Sequence, residues 1–265
     1  VEVRVPAQPL ARFAELVDPS ADEGWRAEIR STVESLRGRV VWHVSSTARG
    51  GGVAEMMGPL VGYARDAGVD ARWMVIAGPP EFFALTKRLH NRLHADGGDG
   101  GPLGAAEHRL YEGVLRENAE ELAAVVRRGD DVVLHDPQTA GLVPSLSARG
   151  AIVVWRCHIG HEDLRHPLVA EGWEFLRPSL ERAAATVFSR EAYVPAFCRG
   201  GRVAIVRPAI DPTDLDELAA ALGRLLGDED EAGRLGAAAR ERVRAESLGI
   251  RLLADYARLI GDLVA

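Results

Sequence analysis

Between residues 39 and 206 the chain alternates six short β-rich runs with segments long enough to form helices. The runs are Arg39–Val44, Ala71–Ala77, Asp131–Leu134, Ala151–Arg156, Thr186–Ser189 and Arg202–Val206. Strands separated by helical segments close into right-handed βαβ units, which build a parallel sheet covered on both faces. The pattern predicts an α/β fold: one doubly wound, Rossmann-like and mostly parallel sheet. Helices are expected over 53–67, 80–94, 104–127, 138–148 and 169–183, with a glycine-rich and mobile loop at 96–102. A short strand is read at Val1–Val5, followed by helical segments that stop at Gly38 in a C-cap position. After Pro212 only helix period remains, from Leu215, Leu218, Leu222 and Leu225 to the run Leu252–Leu263. Three parts are therefore expected: an N-terminal strand and helical segment (1–38), the Rossmann-like lobe (39–212), and C-terminal helices packed on it (213–265).

Composition narrows the class. The chain has 265 residues, of which 47% are hydrophobic, enough for a core, and it carries 32 basic against 39 acidic side chains. A net charge of −7 argues against a nucleic-acid partner, because such binding draws on neutralised phosphates. Two cysteines are too few for a disulfide framework. The first ten residues lack a basic stretch followed by an apolar one, and no run reaches the ~18 apolar residues of a membrane span. A cytoplasmic protein without a membrane partner is expected.

In an open parallel sheet, ligands sit beyond the carboxyl ends of the strands. Three segments fall there: Ser45–Gly52, His135–Gln138 and Arg156–His161. Gly50, Gly51 and Gly52 permit positive φ and close approach to the backbone, and they precede free N–H groups at a helix start. No Lys-Ser/Thr pair follows them, so this is not a Walker A loop, and Glu55 stands where a dinucleotide fingerprint has its third glycine. The second strand ends without an acidic residue for a ribose, which disfavours NAD. Asp136 can accept two hydroxyls and Gln138 can donate and accept; Asp136 can equally cap the next helix. His158 can bond a hydroxyl, and Arg156 can pair with a phosphate or with Asp136. The Cys157, His158, His161 and His166 spacing matches no common structural zinc site, so no metal is expected. Cys157 and His158 point to opposite faces and cannot form a nucleophile–base pair.

Several of these residues carry a family resemblance. Trp42–Ser46, Gly50–Met56, Asp70–Trp73, Glu81–Phe83, Thr86–Asn91, Arg116–Glu120, His135–Gln138, Trp155–His158, Trp173–Pro178 and Pro208–Pro212 together resemble trehalose glycosyltransferring synthases and trehalose phosphorylases. These are retaining GT-B glycosyltransferases with two Rossmann lobes. The resemblance implies an acceptor lobe facing a lobe that binds a nucleoside-diphosphate glucose, with no further cofactor. It implies Gly51 and Gly52 near the donor diphosphate and Asp136 on acceptor hydroxyls. His158 is implied as the catalytic residue, contacting the donor sugar and stabilising the transition state. Gly50, Glu55, Gln138 and Arg156 complete the expected substrate-binding set.

The chain departs from the family at Ile159–His161, where an Asp usually follows the histidine. No lysine follows Lys87, although a donor lobe would supply an Arg–Lys pair. The expectation is thus an acceptor lobe with its donor lobe removed, binding glucose or trehalose and transferring little alone. The alternative is a sugar-binding module without catalysis, or a half-enzyme that forms a homodimer to rebuild a two-lobed cleft.

Overall fold

The computed structural model describes residues 1–13, 19–208 and 249–264. Its centre is a seven-stranded sheet made of β1 (Glu2–Val3), β2 (Val41–Ser45), β3 (Ala71–Val75), β4 (Asp131–His135), β5 (Ile152–Cys157), β6 (Ala185–Phe188) and β7 (Val203–Ile205). The order across the sheet is β1-β3-β2-β4-β5-β6-β7. Every neighbouring pair is parallel except β1 with β3. The six runs therefore form the expected mostly parallel sheet, and the N-terminal strand adds to it as an antiparallel edge.

The helices are α1 (Pro19–Ser35), α2 (Gly52–Asp66), α3 (Pro80–Leu93), α4 (Ala105–Ala123), α5 (Val143–Ala148), α6 (Pro167–Leu180) and α7 (Gly249–Val264). Among the described residues, helices α3 to α6 cover one face of the sheet, where Trp42, Val44, Leu134, Trp155 and Phe188 pack with Phe82, Leu89, Leu115 and Trp173. Helices α1, α2 and α7 cover the other, where Val133, Val154 and Val187 meet Met57, Leu60, Leu253 and Tyr256. Strands buried on both faces require near-continuous apolar runs, which is why Asp131-Val-Val-Leu-His135 and Ile152-Val-Val-Trp-Arg-Cys157 read as they do. The expected helices at 215–248 lie outside the described residues.

Loop 96–102 is not free, despite its glycines. Two arginines on successive turns of α3 hold it. Arg88 grips Asp99 with two nitrogens at 2.7 and 2.9 Å and reaches the Pro102 carbonyl. Arg92 donates to the carbonyls of Gly97 and Gly101. A flexible composition is overridden by charge-assisted bonds, the strong end of the hydrogen-bond range.

The strand order reverses between β2 and β4. In doubly wound folds that reversal splits the loops to opposite sides and opens a crevice at the strands' carboxyl ends. The loops after β2, β4 and β5 border it.

Candidate functional site

The loop after β2 is held at its root. Trp73 Nε1 donates to Ser45 Oγ at 2.8 Å, and Ser45 Oγ donates to the Thr47 carbonyl at 3.1 Å. Thr47 Oγ1 in turn donates to the Arg49 carbonyl at 2.7 Å. Gly50 has φ +73, and Gly51, at the N-cap of α2, has φ 91 and ψ 151. That second conformation is open to glycine alone. The first intrahelical bond at this end runs from Glu55 N to the Gly51 carbonyl, so the amides of Gly52, Val53 and Ala54 precede the helical ladder. Gly50, Gly51, Gly52 and Glu55 are all exposed.

At the tip of β4 the backbone turns through Asp136, whose φ is +64. Surrounding bonds hold this conformation. Asp136 N donates to the Arg156 carbonyl at 2.8 Å, and the Asp136 carbonyl accepts Trp155 Nε1 at 3.0 Å and Thr139 Oγ1 at 3.2 Å. Next to it, Tyr111 Oη from α4 donates to the Pro137 carbonyl. The carboxylate does not cap the following helix. Its Oδ1 accepts the backbone N–H of His158 at 2.7 Å, tying β4 to β5. Burial pushes the Asp136 carboxyl up to about 6, while the His158 amide and the Arg156 charge pull in the other direction. Gln138 is partly exposed and has a buried Oε1 without a partner.

His158 is partly exposed, and Ser189 Oγ at the tip of β6 donates to its carbonyl. Its ring nitrogen Nε2 lies 2.9 Å from Nδ1 of His135. Behind that ring, His135 Nε2 lies 3.1 Å from Nδ1 of His43, in the middle of β2. Burial holds all three imidazoles well below the ordinary histidine range, His43 at about 4. Near neutral pH the three rings are therefore uncharged.

Arg156 lies fully enclosed, with no exposed surface. It makes no hydrogen bond to Asp136. Its Nη1 donates to the Phe188 carbonyl at 3.3 Å, and Nε and Nη2 have no partner. The guanidinium sits 6.0 Å from the centre of the Tyr256 ring on α7, and it reaches the cleft through its charge. Cys157 faces the opposite side, in the core beneath α6, where burial pushes its thiol well up. Among the described residues no three His, Cys, Asp or Glu side chains are placed to hold a metal ion.

The structure thus brings Asp136 and His158 into direct contact, with Arg156 just beneath them. The glycine loop borders the same crevice from β2. His43 and the link through His135 were not among the expected site residues. The available signal was slight: His43 and His135 lie in β2 and β4, every residue of which is buried, and each shares its face with one other polar residue, Ser45 or Asp131.

Comparison with known proteins decides the relationship. The family described as "Trehalose synthase, N-terminal domain" matches residues 43–195, more than half of the chain. This chain belongs to that family. The trehalose synthase of Thermococcus litoralis is 40% identical over 191 residues, covering 72% of this chain and 44% of the relative. That of Rubrobacter xylanophilus is 35% identical over 188 residues, covering 70% and 43%. A trehalose phosphorylase of Pleurotus sajor-caju is 31% identical over 157 residues, 56% of this chain and 20% of that one. The chain spans less than half the length of the trehalose synthases it matches. Among solved structures, an α,α-trehalose-phosphate synthase from Burkholderia xenovorans in complex with glucose-6-phosphate superposes with a TM-score of 0.54 at 17% identity. The match covers 71% of this chain and 53% of that one. The Burkholderia multivorans trehalose-6-phosphate synthase gives 0.52 at 18% identity, over 76% and 55%. The chain thus has the α/β architecture of one lobe of a GT-B fold.

Proposed function

We propose that this chain is the acceptor-sugar lobe of a retaining glycosyltransferase that forms trehalose from a nucleoside-diphosphate glucose and glucose. The observation that carries the reading is the junction of Asp136 and His158 at the strand-order reversal, 2.7 Å apart through carboxylate and amide. Asp136, ionised above its raised pKa of about 6, accepts sugar hydroxyls in charge-assisted bonds. Gln138 offers its partnerless Oε1 to another hydroxyl. The free amides at the start of α2 face developing negative charge on the leaving diphosphate, where a helix N-terminus is favourable. No protein nucleophile is required: positioning and electrostatic stabilisation supply the rate. His158 stands at the reacting centre.

The donor nucleotide is assigned to a second lobe, in keeping with the 44% of the Thermococcus relative that this chain spans. Calorimetric titration of the chain with glucose, trehalose and a nucleoside-diphosphate glucose tests the reading. Saturable glucose binding without donor binding is expected. Tight donor binding, or robust trehalose formation by the purified chain, overturns the assignment to an acceptor lobe.

A further inference from the structure

Three imidazoles run inward from the cleft. The rings of His158 and His135 meet edge to edge, with centroids 5.2 Å apart and planes 18° from parallel, and those of His135 and His43 with 5.4 Å and 23°. Their nitrogens meet at 2.9 and 3.1 Å. A neutral imidazole has one N–H and one bare nitrogen, and each contact needs a donor facing an acceptor. The central ring uses both of its nitrogens. If His135 carries its proton on Nε2, His43 must leave Nδ1 bare and His158 must donate from Nε2. If His135 carries it on Nδ1, both neighbours must carry theirs on Nδ1. The three rings therefore share one tautomer, and His43, in the middle of β2, is coupled to what His158 offers the cleft.

Arg156 decides between the two arrangements. Arg156 stands on β5 two residues before His158 and on the same side of the sheet, beside His135 on β4, whereas His43 stands two strands away on β2. Its charge also helps to lower His158 and His135. The cation thus stands at the cleft end of the chain. Aligned imidazole dipoles are lowest in energy with their bare, negative end beside a cation. That end is His158 Nδ1.

We propose that His43 and His135 are positioning residues that hold His158 as the Nε2–H tautomer, so that its bare Nδ1 accepts a hydroxyl of the bound sugar. The sugar in this statement rests on the acceptor-lobe reading; the shared tautomer does not. Second-sphere groups that fix a histidine's tautomer in this way also fix its ring orientation.

Nitrogen-15 histidine labelling of the chain and long-range proton–nitrogen correlation near neutral pH test it. All three rings are expected to show protonated Nε2 and bare Nδ1. Mixed tautomers, or Nδ1–H throughout, overturn the proposal. In His43→Leu the link loses its acceptor, and the His158 Nδ1 signal is expected to leave the bare-nitrogen position. In His43→Asn, whose amide oxygen stands close to where Nδ1 stood, it is expected to return. An unchanged His158 tautomer in His43→Leu overturns the coupling; if that variant does not fold, the wild-type pattern decides alone. Glucose is then expected to shift the His158 Nδ1 resonance. The Nε2–H pattern without any response to glucose would overturn the sugar reading while leaving the relay standing.

Discussion

Asp136 joins two strand tips: its Oδ1 holds the backbone N–H of His158 at 2.7 Å while its own backbone sits at φ +64. One side chain thus fixes both the turn after β4 and the start of the loop after β5. Asn accepts the same hydrogen bond and tolerates the left-handed region, whereas Ala does neither.

Asp136→Ala is expected to lower the unfolding free energy by roughly 2–5 kcal/mol, combining ~1–2 for strain with ~1–3 for an orphaned amide. Near pH 4, where the buried carboxyl is protonated, Asp136→Asn should stay within about 1 kcal/mol of the wild type in urea denaturation, since its oxygen keeps that bond. Both variants should lose glucose affinity tenfold or more, because a hydrogen bond to a charged group contributes about 1.5–3 kcal/mol. Full affinity in Asp136→Asn would remove the carboxylate from the site.

The charge of Arg156 is felt at Asp136 without a hydrogen bond between them. It pulls the carboxyl down against the larger effect of burial, which leaves it at about 6. Glucose binding should therefore fade as pH falls through about 6. In Arg156→Met that loss should occur at higher pH, because the cation's pull is gone. Titrating glucose affinity against pH in the two proteins checks this; coincident curves contradict it.

Stability should rise between about pH 4 and 6.5. His43, His90, His94, His135 and His158 all have lowered pKa values, chiefly through burial, with His43 and His90 at about 4. In that window the unfolded chain binds more of these protons than the folded one, which favours folding as pH rises. Asp131 and Asp136 act in the opposite sense. Burial raises them to about 7 and about 6, so their favourable contribution is complete below 3.8 and is lost as pH climbs through those values. Five groups outweigh two. Asp131→Asn removes one of the opposing pair, so its stability relative to wild type should grow from pH 4 to 7 and stay level above. Denaturation midpoints measured across that range provide the check.

Ser45 links the indole of Trp73 to the loop that carries Gly50 and Gly51. Ser45→Ala should speed amide exchange across residues 46–51 several-fold without altering exchange in the strands. A uniform change throughout the sheet would mean that the hydroxyl supports the core rather than the loop.

Much of this was legible in the chain because burial on two faces imposes a strong pattern. Val132–Leu134 and Ile152–Trp155 could scarcely be anything but central strands, and Gly50–Gly52 marked the loop at the end of β2. Parity correctly separated Cys157 from His158. What stayed hidden depends on pairing across strands. The strand expected at Val1–Val5 forms over two residues, and its antiparallel place at the edge follows only from its pairing with β3. Arg156 reads as a ligand-binding cation until α7 is seen to roof it. His43 and His135 are 92 residues apart, and only the adjacency of β2 and β4 brings their nitrogens together. The grip of Arg88 on Asp99 is likewise invisible in a loop whose glycines suggest freedom.

Helix α7 gives the assembly a direction in time. It packs among α1, α2 and the sheet, and its Tyr256 lies against both Arg156 and His43. A chain emerging from the ribosome can pair β2 to β7 as soon as residue 205 is free. Yet the Tyr256 ring that lies against Arg156 and His43 is missing until residue 256 arrives. The cover over the buried guanidinium is therefore completed last, and a nascent chain shorter than that has the sheet without its second face closed.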